Sequence, residues 1–112
     1  ASVIVSRAGA TTIAELSMLQ KPAILIPIPE SVSHDQRTNA YTYAHTGAAV
    51  VLEEQNLTPN LLASETKRIA GDANLSAAMA QAGAAFMPGG AAELIALEAI
   101  RIGLSHEPAP TV

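Results

Sequence analysis

Residues 6–15 read SRAGATTIAE, and they overlap the end of the short apolar run SVIVS at residues 2–6. A brief run rich in β-branched side chains and bounded by polar residues is typical of a buried strand. After the glycine and the two threonines, Ile13, Leu16 and Leu19 recur at the spacing of one helix face. The stretch therefore predicts a loop that leads from a buried strand into a helix, which is the repeating unit of an open α/β sheet.

The alternation of strand and helix continues along the chain. Apolar runs predict further strands over residues 23–28 and 48–53, and helical periods predict helices over residues 11–20, 34–45, 59–70, 74–85 and 91–104. Strands that are apolar throughout are typical of a parallel sheet with helices on both faces. We therefore predict a three-layer α/β, Rossmann-like half domain with a parallel sheet. Three strands make a narrow sheet, so we expect the N-terminal part of the domain to lie upstream of residue 1.

Local signals predict where two of the helices begin. Thr58 followed by Pro59 matches an N-cap residue and the first helical position. Asn74 is the predicted N-cap of the helix that follows. We assign residues 1–104 to the folded domain and residues 105–112 to a disordered tail.

Composition limits the classes of function. Hydrophobic residues make up 49% of the 112 residues and charged residues 14%, as in a single well-buried globular domain. The net charge is −4, and the six scattered basic residues provide no patch for a phosphate backbone, so we predict no nucleic-acid partner. The chain has no cysteine, which excludes disulfides, thiolate catalysis and cysteine-ligated metals. No spacing of His, Asp and Glu indicates a metal site, and no cofactor is predicted.

The loop after the first strand is the first candidate binding site. Ligands of open α/β sheets bind where the strands end and loops lead into helices. Gly9 would let a ligand approach the backbone closely. The amides of Ala10, Thr11 and Thr12 would point out of a helix N-terminus, where a phosphate is stabilised. Glu15, about one turn further on, is placed to accept hydrogen bonds from ribose hydroxyls.

A purely structural role also explains these residues. Thr12-Ile13-Ala14-Glu15 matches the S/T-x-x-E capping box, in which the threonine caps the helix and the glutamate reaches back to a backbone amide. Arg7 is likewise either a phosphate partner or a structural arginine. The residues alone leave both interpretations open.

A second polar loop, ESVSHDQRTNA at residues 30–40, follows the second predicted strand and so lies at the same edge of the sheet. Asp35 and Gln36 either cap the next helix or bind sugar hydroxyls, since a carboxylate accepts hydrogen bonds and an amide both donates and accepts them. His34 is either a base or a solvated loop histidine. The other two histidines are isolated and have no predicted role.

Three motifs in this order, RAGATTIAEL, KPAILIPIP and HDQRTNA, resemble the C-terminal domain of the two-Rossmann-domain (GT-B) glycosyltransferases, and within them the MurG-type enzymes. The later stretches GAAVVLEEQNLTPNLLA and MAQAGAAFMPGGAAELIALEAI are similar to the closing elements of that domain. The resemblance implies a hexosyltransferase that moves N-acetylglucosamine from UDP-N-acetylglucosamine to the lipid-linked muramyl-pentapeptide precursor of peptidoglycan. It also implies a cytoplasmic enzyme that is peripheral at the inner face of the cell membrane.

The resemblance further implies which residues bind the donor. Backbone and hydroxyl groups of the helix N-terminus would contact the diphosphate and the sugar, Glu15 the ribose, and Gln36 with Asp35 the sugar hydroxyls. The predicted substrate-binding set is Gly9, Ala10, Thr11, Thr12, Ile13, Ala14, Glu15, Asp35 and Gln36. In that family the uracil pocket lies upstream, and the acceptor site and the base belong to an N-terminal domain. We therefore predict no catalytic residue in this chain and no transferase activity for the 112 residues alone.

Two other functions fit the same donor motifs. One is another UDP-sugar enzyme on the same fold, such as a different sugar transferase or an epimerase. The other is a non-catalytic donor-binding subunit of a split glycosyltransferase, which acts only when docked to a partner that carries the acceptor site.

Overall fold

The computed structural model describes residues 3–29, 34–86 and 89–106. Its elements in chain order are β1 (Ile4–Ser6), α1 (Ala10–Leu19), β2 (Ala23–Leu25), α2 (His34–His45), β3 (Ala49–Val51), a 3₁₀ turn (Glu54–Asn56), α3 (Pro59–Ala70), α4 (Ala73–Phe86) and α5 (Gly89–His106). The strands form a parallel sheet in the order β1-β2-β3, with Ala23 opposite both Ile4 and Ala49. The predicted parallel α/β fold is confirmed.

Helices cover both faces of the sheet, because the central strand β2 is buried on both sides. Ala23 and Leu25 point into a cluster formed with residues of α1, α2 and α5, and Ile24 points into a second cluster formed with residues of α3 and α4. Ile13 and Tyr43 are among the largest fully buried side chains of the first cluster. This double burial explains why β2 is apolar at every position.

The observed strands are shorter than the predicted ones. Each has three residues, although Ile26 N still donates to Ser6 O at 2.8 Å and Leu52 N to Leu25 O at 2.9 Å. Residues 1 and 2 of the chain lie outside the described part. Helix α2 has the predicted bounds. Helix α5 begins two residues earlier than predicted and ends at His106, and residues 107–112 of the predicted tail lie outside the described residues.

Two helix starts show how local signals compete. Thr58 caps α3 as predicted, because its Oγ1 accepts a hydrogen bond from Leu61 N at 3.0 Å. The predicted cap at Asn74 is wrong. Helix α4 starts at Ala73, and Oδ1 of Asp72 accepts from Leu75 N at 3.0 Å. Asp72 is still outside the helix and can aim its carboxylate at the first-turn amides, whereas Asn74 is already helical.

We expect Asp72→Ala to lower the free energy of unfolding by about 1 kcal/mol, since it removes an N-cap. Asn74→Ala is the matched control, and it should change stability little because alanine is the better helix former. Urea unfolding of the two variants measures both effects. A loss at Asn74 as large as the loss at Asp72 would contradict the observed cap.

Within the described residues, none of the helices combines the length and the apolar character that crossing a bilayer requires.

Candidate functional site at the carboxyl edge of the sheet

The loop between β1 and α1 ends in an uncapped helix N-terminus. Gly9 is the N-cap residue in an extended conformation, and no side chain caps the helix there. The first helical bond is from Ile13 N to Gly9 O, at 3.0 Å. The amides of Ala10, Thr11 and Thr12 therefore have no acceptor earlier in the helix, and the helix dipole adds positive potential at this end. This arrangement favours an anion, as the sequence predicted.

The capping-box interpretation of this loop is wrong. It required Thr12 to be the N-cap residue, but Thr12 is the third residue of α1. Glu15 is therefore the sixth helical residue, too far along the helix to reach back to the N-cap amide. The side chain of Glu15 is exposed rather than packed in the core. The capping-box role of Glu15 is removed, and its role as a ligand residue stays a prediction.

The structure divides the predicted residues of α1 into buried and accessible ones. Ala10 and Ile13 are fully buried and Ala14 is 8% exposed, so their side chains belong to the core. Thr11 is exposed and Thr12 is partly exposed. The accessible part of the predicted site therefore consists of the Thr11 and Thr12 groups and the Glu15 carboxylate. Gly9 has φ −65°, which any residue adopts, so the backbone conformation does not require a glycine there.

The start of α2 brings Gln36 to the same edge. The Oε1 atom of Gln36 accepts hydrogen bonds from Ala8 N at 3.4 Å and from Ile28 N at 3.2 Å. Asp35 is partly exposed in the first turn of α2. Helix α2 already begins at His34, so neither residue is its N-cap residue. The side chain of His34 lies outside the described part.

Arg7 has a structural role in this edge. Its Nη1 donates to Ile26 O at 3.2 Å, and its Nη2 pairs with Glu54 Oε1 at 2.7 Å. Both side chains of this pair are about half exposed, so the ion pair adds little stability. The two contacts hold Arg7, at the start of the β1–α1 loop, against the residues that follow β2 and β3. The phosphate-partner alternative for Arg7 has no support from these contacts.

A second ion pair at the edge was not predicted. Nε of Arg37 pairs with Glu53 Oε1 at 2.6 Å, and the Arg37 guanidinium lies 5.1 Å from the centre of the Tyr41 ring. Glu53 and Glu54 follow β3 after Leu52. Their position just beyond a third parallel strand is the sequence signal that could have placed them at this edge. A cleft of about 310 Å³ opens beside them, lined by Pro27, Ile28, Pro29, Arg37, Glu53, Glu54 and Gln55. Its lining does not include Glu15, which lies on the open surface of α1.

No group of three His, Cys, Asp or Glu side chains among the described residues is arranged to hold a metal ion.

Comparisons with known proteins place both loops in one family. The family model for the glycosyltransferase family 28 C-terminal domain matches residues 1–94. A protein of Anaeromyxobacter sp. named UDP-N-acetylglucosamine–N-acetylmuramyl-(pentapeptide) pyrophosphoryl-undecaprenol N-acetylglucosamine transferase is 49% identical over 69 residues, which are 62% of this chain and 18% of that protein. A Rhizobium etli protein of the same name is 37% identical over 105 residues, which are 92% of this chain and 28% of that protein.

A solved structure agrees with these relatives. The crystal structure of Acinetobacter baumannii MurG matches with a TM-score of 0.67 and 27% identity, and the match covers 85% of this chain and 27% of that one. The chain spans less than a third of the length of all three proteins. The predicted resemblance to MurG-type enzymes is confirmed, and the chain belongs to the glycosyltransferase family 28 C-terminal domain family.

Proposed function

We propose that this chain forms the donor-binding part of a glycosyltransferase that moves N-acetylglucosamine from UDP-N-acetylglucosamine to the lipid-linked muramyl-pentapeptide precursor of peptidoglycan. The observation that carries the proposal is an exposed carboxylate, Glu15, one turn beyond the uncapped N-terminus of α1. The reaction named for the two curated relatives supports this choice of donor and acceptor.

The diphosphate, the ribose and the sugar of the donor would each have a partner of suitable chemistry at this edge. The first-turn amides and hydroxyls of Thr11 and Thr12 face outward and would bind the diphosphate. The Glu15 carboxylate would accept hydrogen bonds from two adjacent ribose hydroxyls, for which an acceptor-only group is suited. Asp35 and Gln36, at the start of α2, would contact the sugar.

Chemistry at this site would consist of binding the donor and stabilising the leaving group. The acceptor hydroxyl attacks the anomeric carbon, the bond from that carbon to the diphosphate breaks, and UDP leaves. Negative charge develops on the diphosphate as the bond breaks, and preorganised helix amides stabilise this charge more than that of the intact donor. The base that takes the proton from the acceptor, and the acceptor site itself, would come from another part of the enzyme.

The proposed partners are therefore UDP-N-acetylglucosamine and, through a separate domain, the lipid-linked acceptor. A lipid-linked acceptor would bring the parent enzyme to the cell membrane, and we propose that it binds peripherally at the cytoplasmic face.

An assay of the full-length protein tests the proposal. With UDP-N-acetylglucosamine and the lipid-linked muramyl-pentapeptide, we expect UDP release and a glycosylated acceptor in equal amounts. Without the acceptor, UDP release should be negligible, and residues 1–112 alone should show no turnover. Conversion of the donor to an epimer, or transfer to an unrelated acceptor with none to this one, would contradict the proposed reaction.

A further inference from the structure

One side chain joins the two loops of the candidate site. The Oε1 atom of Gln36 accepts from Ala8 N, 28 positions earlier in the β1–α1 loop, and from Ile28 N, eight positions earlier after β2. Ala8 is fully buried, so its amide has no access to solvent and needs a partner inside the protein. The Gln36 carboxamide supplies that partner.

The chemistry of these contacts fixes the orientation of the carboxamide. Both backbone groups are N–H donors, so only an acceptor can stand between them. The flipped orientation would place the two hydrogens of Nε2 against two further donors, which is repulsive. The oxygen of Gln36 therefore bonds to the backbone and is not available to a ligand.

We propose that Gln36 is a positioning residue, whose oxygen holds the β1–α1 loop against the β2–α2 loop and thereby fixes the first-turn amides of α1. Ala8 is only two residues before Ala10, where that helix begins. The side chain of Arg7, the residue before Ala8, donates to Ile26 O. Two consecutive residues of the loop are therefore held by contacts outside it. Movement at Ala8 is passed directly to the amides that would meet the diphosphate.

This role predicts a result that sugar binding alone does not. If Gln36 only contacted the sugar, its loss would weaken the binding of UDP-N-acetylglucosamine and leave the binding of UDP unaffected. If Gln36 positions the helix N-terminus, its loss weakens the binding of both ligands. The expected effect on ligand affinity rests on the proposed function. The expected effect on the contact between the two loops does not.

Two variants of similar size separate the functions of the oxygen and the nitrogen. Gln36→Glu keeps an acceptor at the position of Oε1 and removes the Nε2 donor. Gln36→Met keeps the length of the side chain and removes both. The first readout is hydrogen exchange at the Ala8 and Ile28 amides of the full-length protein without ligand. Gln36→Met should speed exchange by about tenfold or more, and Gln36→Glu should leave it near the wild-type rate, because the acceptor decides the protection.

The second readout is the affinity for UDP and for UDP-N-acetylglucosamine, measured in about 0.5 M salt so that the added carboxylate does not repel the diphosphate. Gln36→Met should raise the Kd of UDP by about fivefold to tenfold, since two backbone donors lose their acceptor. Gln36→Glu should restore the UDP affinity to within about threefold of wild type and leave a deficit for the UDP-sugar.

Unchanged exchange at both amides in Gln36→Met would overturn the proposal, as would lost protection in Gln36→Glu. If Gln36→Met does not fold while Gln36→Glu does, the acceptor oxygen that Gln36→Glu shares with the wild type is again shown to hold the two loops. A wild-type protein that binds neither ligand would refute the proposed function, and the exchange measurement would still decide the role of Gln36 in the loops.

Discussion

Glu15→Ala is expected to raise the KM for UDP-N-acetylglucosamine more than tenfold in the full-length enzyme and to leave its stability nearly unchanged. Hydrogen bonds from ligand hydroxyls to a carboxylate contribute roughly 1.5–3 kcal/mol, and about 1.4 kcal/mol corresponds to a factor of ten. Stability should not fall, because Glu15 is exposed and takes no part in the N-cap of α1. The effect on the ligand and the effect on the fold are thus separable at this residue.

Two further variants sharpen this measurement. Glu15→Gln keeps an acceptor oxygen but loses the charge, so its KM should lie between those of wild type and Glu15→Ala. Glu65→Ala is the control, because Glu65 is also a helical glutamate but lies in α3, which packs on the face of the sheet opposite to α1, where it pairs with Arg68. An unchanged KM in Glu15→Ala together with a lower melting temperature would return Glu15 to a structural role.

Gly83→Ala is expected to lower the free energy of unfolding by about 1–3 kcal/mol, the usual cost of overpacking a core. In the interior of an exposed helix the same change stabilises by about 1 kcal/mol, so the surroundings of Gly83 decide the sign. A Cβ at Gly83 would lie 2.7 Å from the Tyr43 hydroxyl oxygen. Tyr43 is fully buried and cannot swing away.

The partner change Tyr43→Phe should reverse that loss. The Tyr43 hydroxyl has no hydrogen-bond partner within the described part of the chain, and burial raises the pKa of this hydroxyl, so it stays protonated. Removing it should be neutral or stabilising by about 1 kcal/mol. The ring contact with Phe86, at 5.1 Å between centroids, is kept by phenylalanine. With the oxygen gone, the nearest ring carbon is 3.8 Å from the new Cβ, an ordinary contact.

A double-mutant cycle measures this coupling. Urea unfolding of wild type, Gly83→Ala, Tyr43→Phe and the double variant should show the double variant at least as stable as wild type. Gly89→Ala is the control, because no described atom outside its chain neighbours and its own helix backbone lies within 4 Å of a Cβ there, and it should change stability by less than about 0.5 kcal/mol. Additive losses in the double variant would show that the hydroxyl does not cause the clash.

The comparison of α3 with α4 shows what local signals can resolve. Thr58 and Pro59 are adjacent and both favour one helix start, so the prediction was correct to the residue. Asp72 and Asn74 are both suitable caps two residues apart, and the sequence pattern did not separate them. The geometry of the turn after α3 places Asp72 outside the helix and Asn74 inside it. The capping box at Thr12 failed for the same reason, because α1 starts two residues before it.

The sequence by itself determined the parallel α/β fold, the order of the elements and the loops that carry the candidate site. These features depend on apolar runs, helical periods and loop positions, which are local properties of the chain. Only the tertiary structure decided the contacts of Gln36, Arg7 and Tyr43. Their partners Ala8, Glu54 and Gly83 lie 28, 47 and 40 positions away. Such contacts depend on the register of the strands and on how the helices pack, and no local pattern specifies either of these.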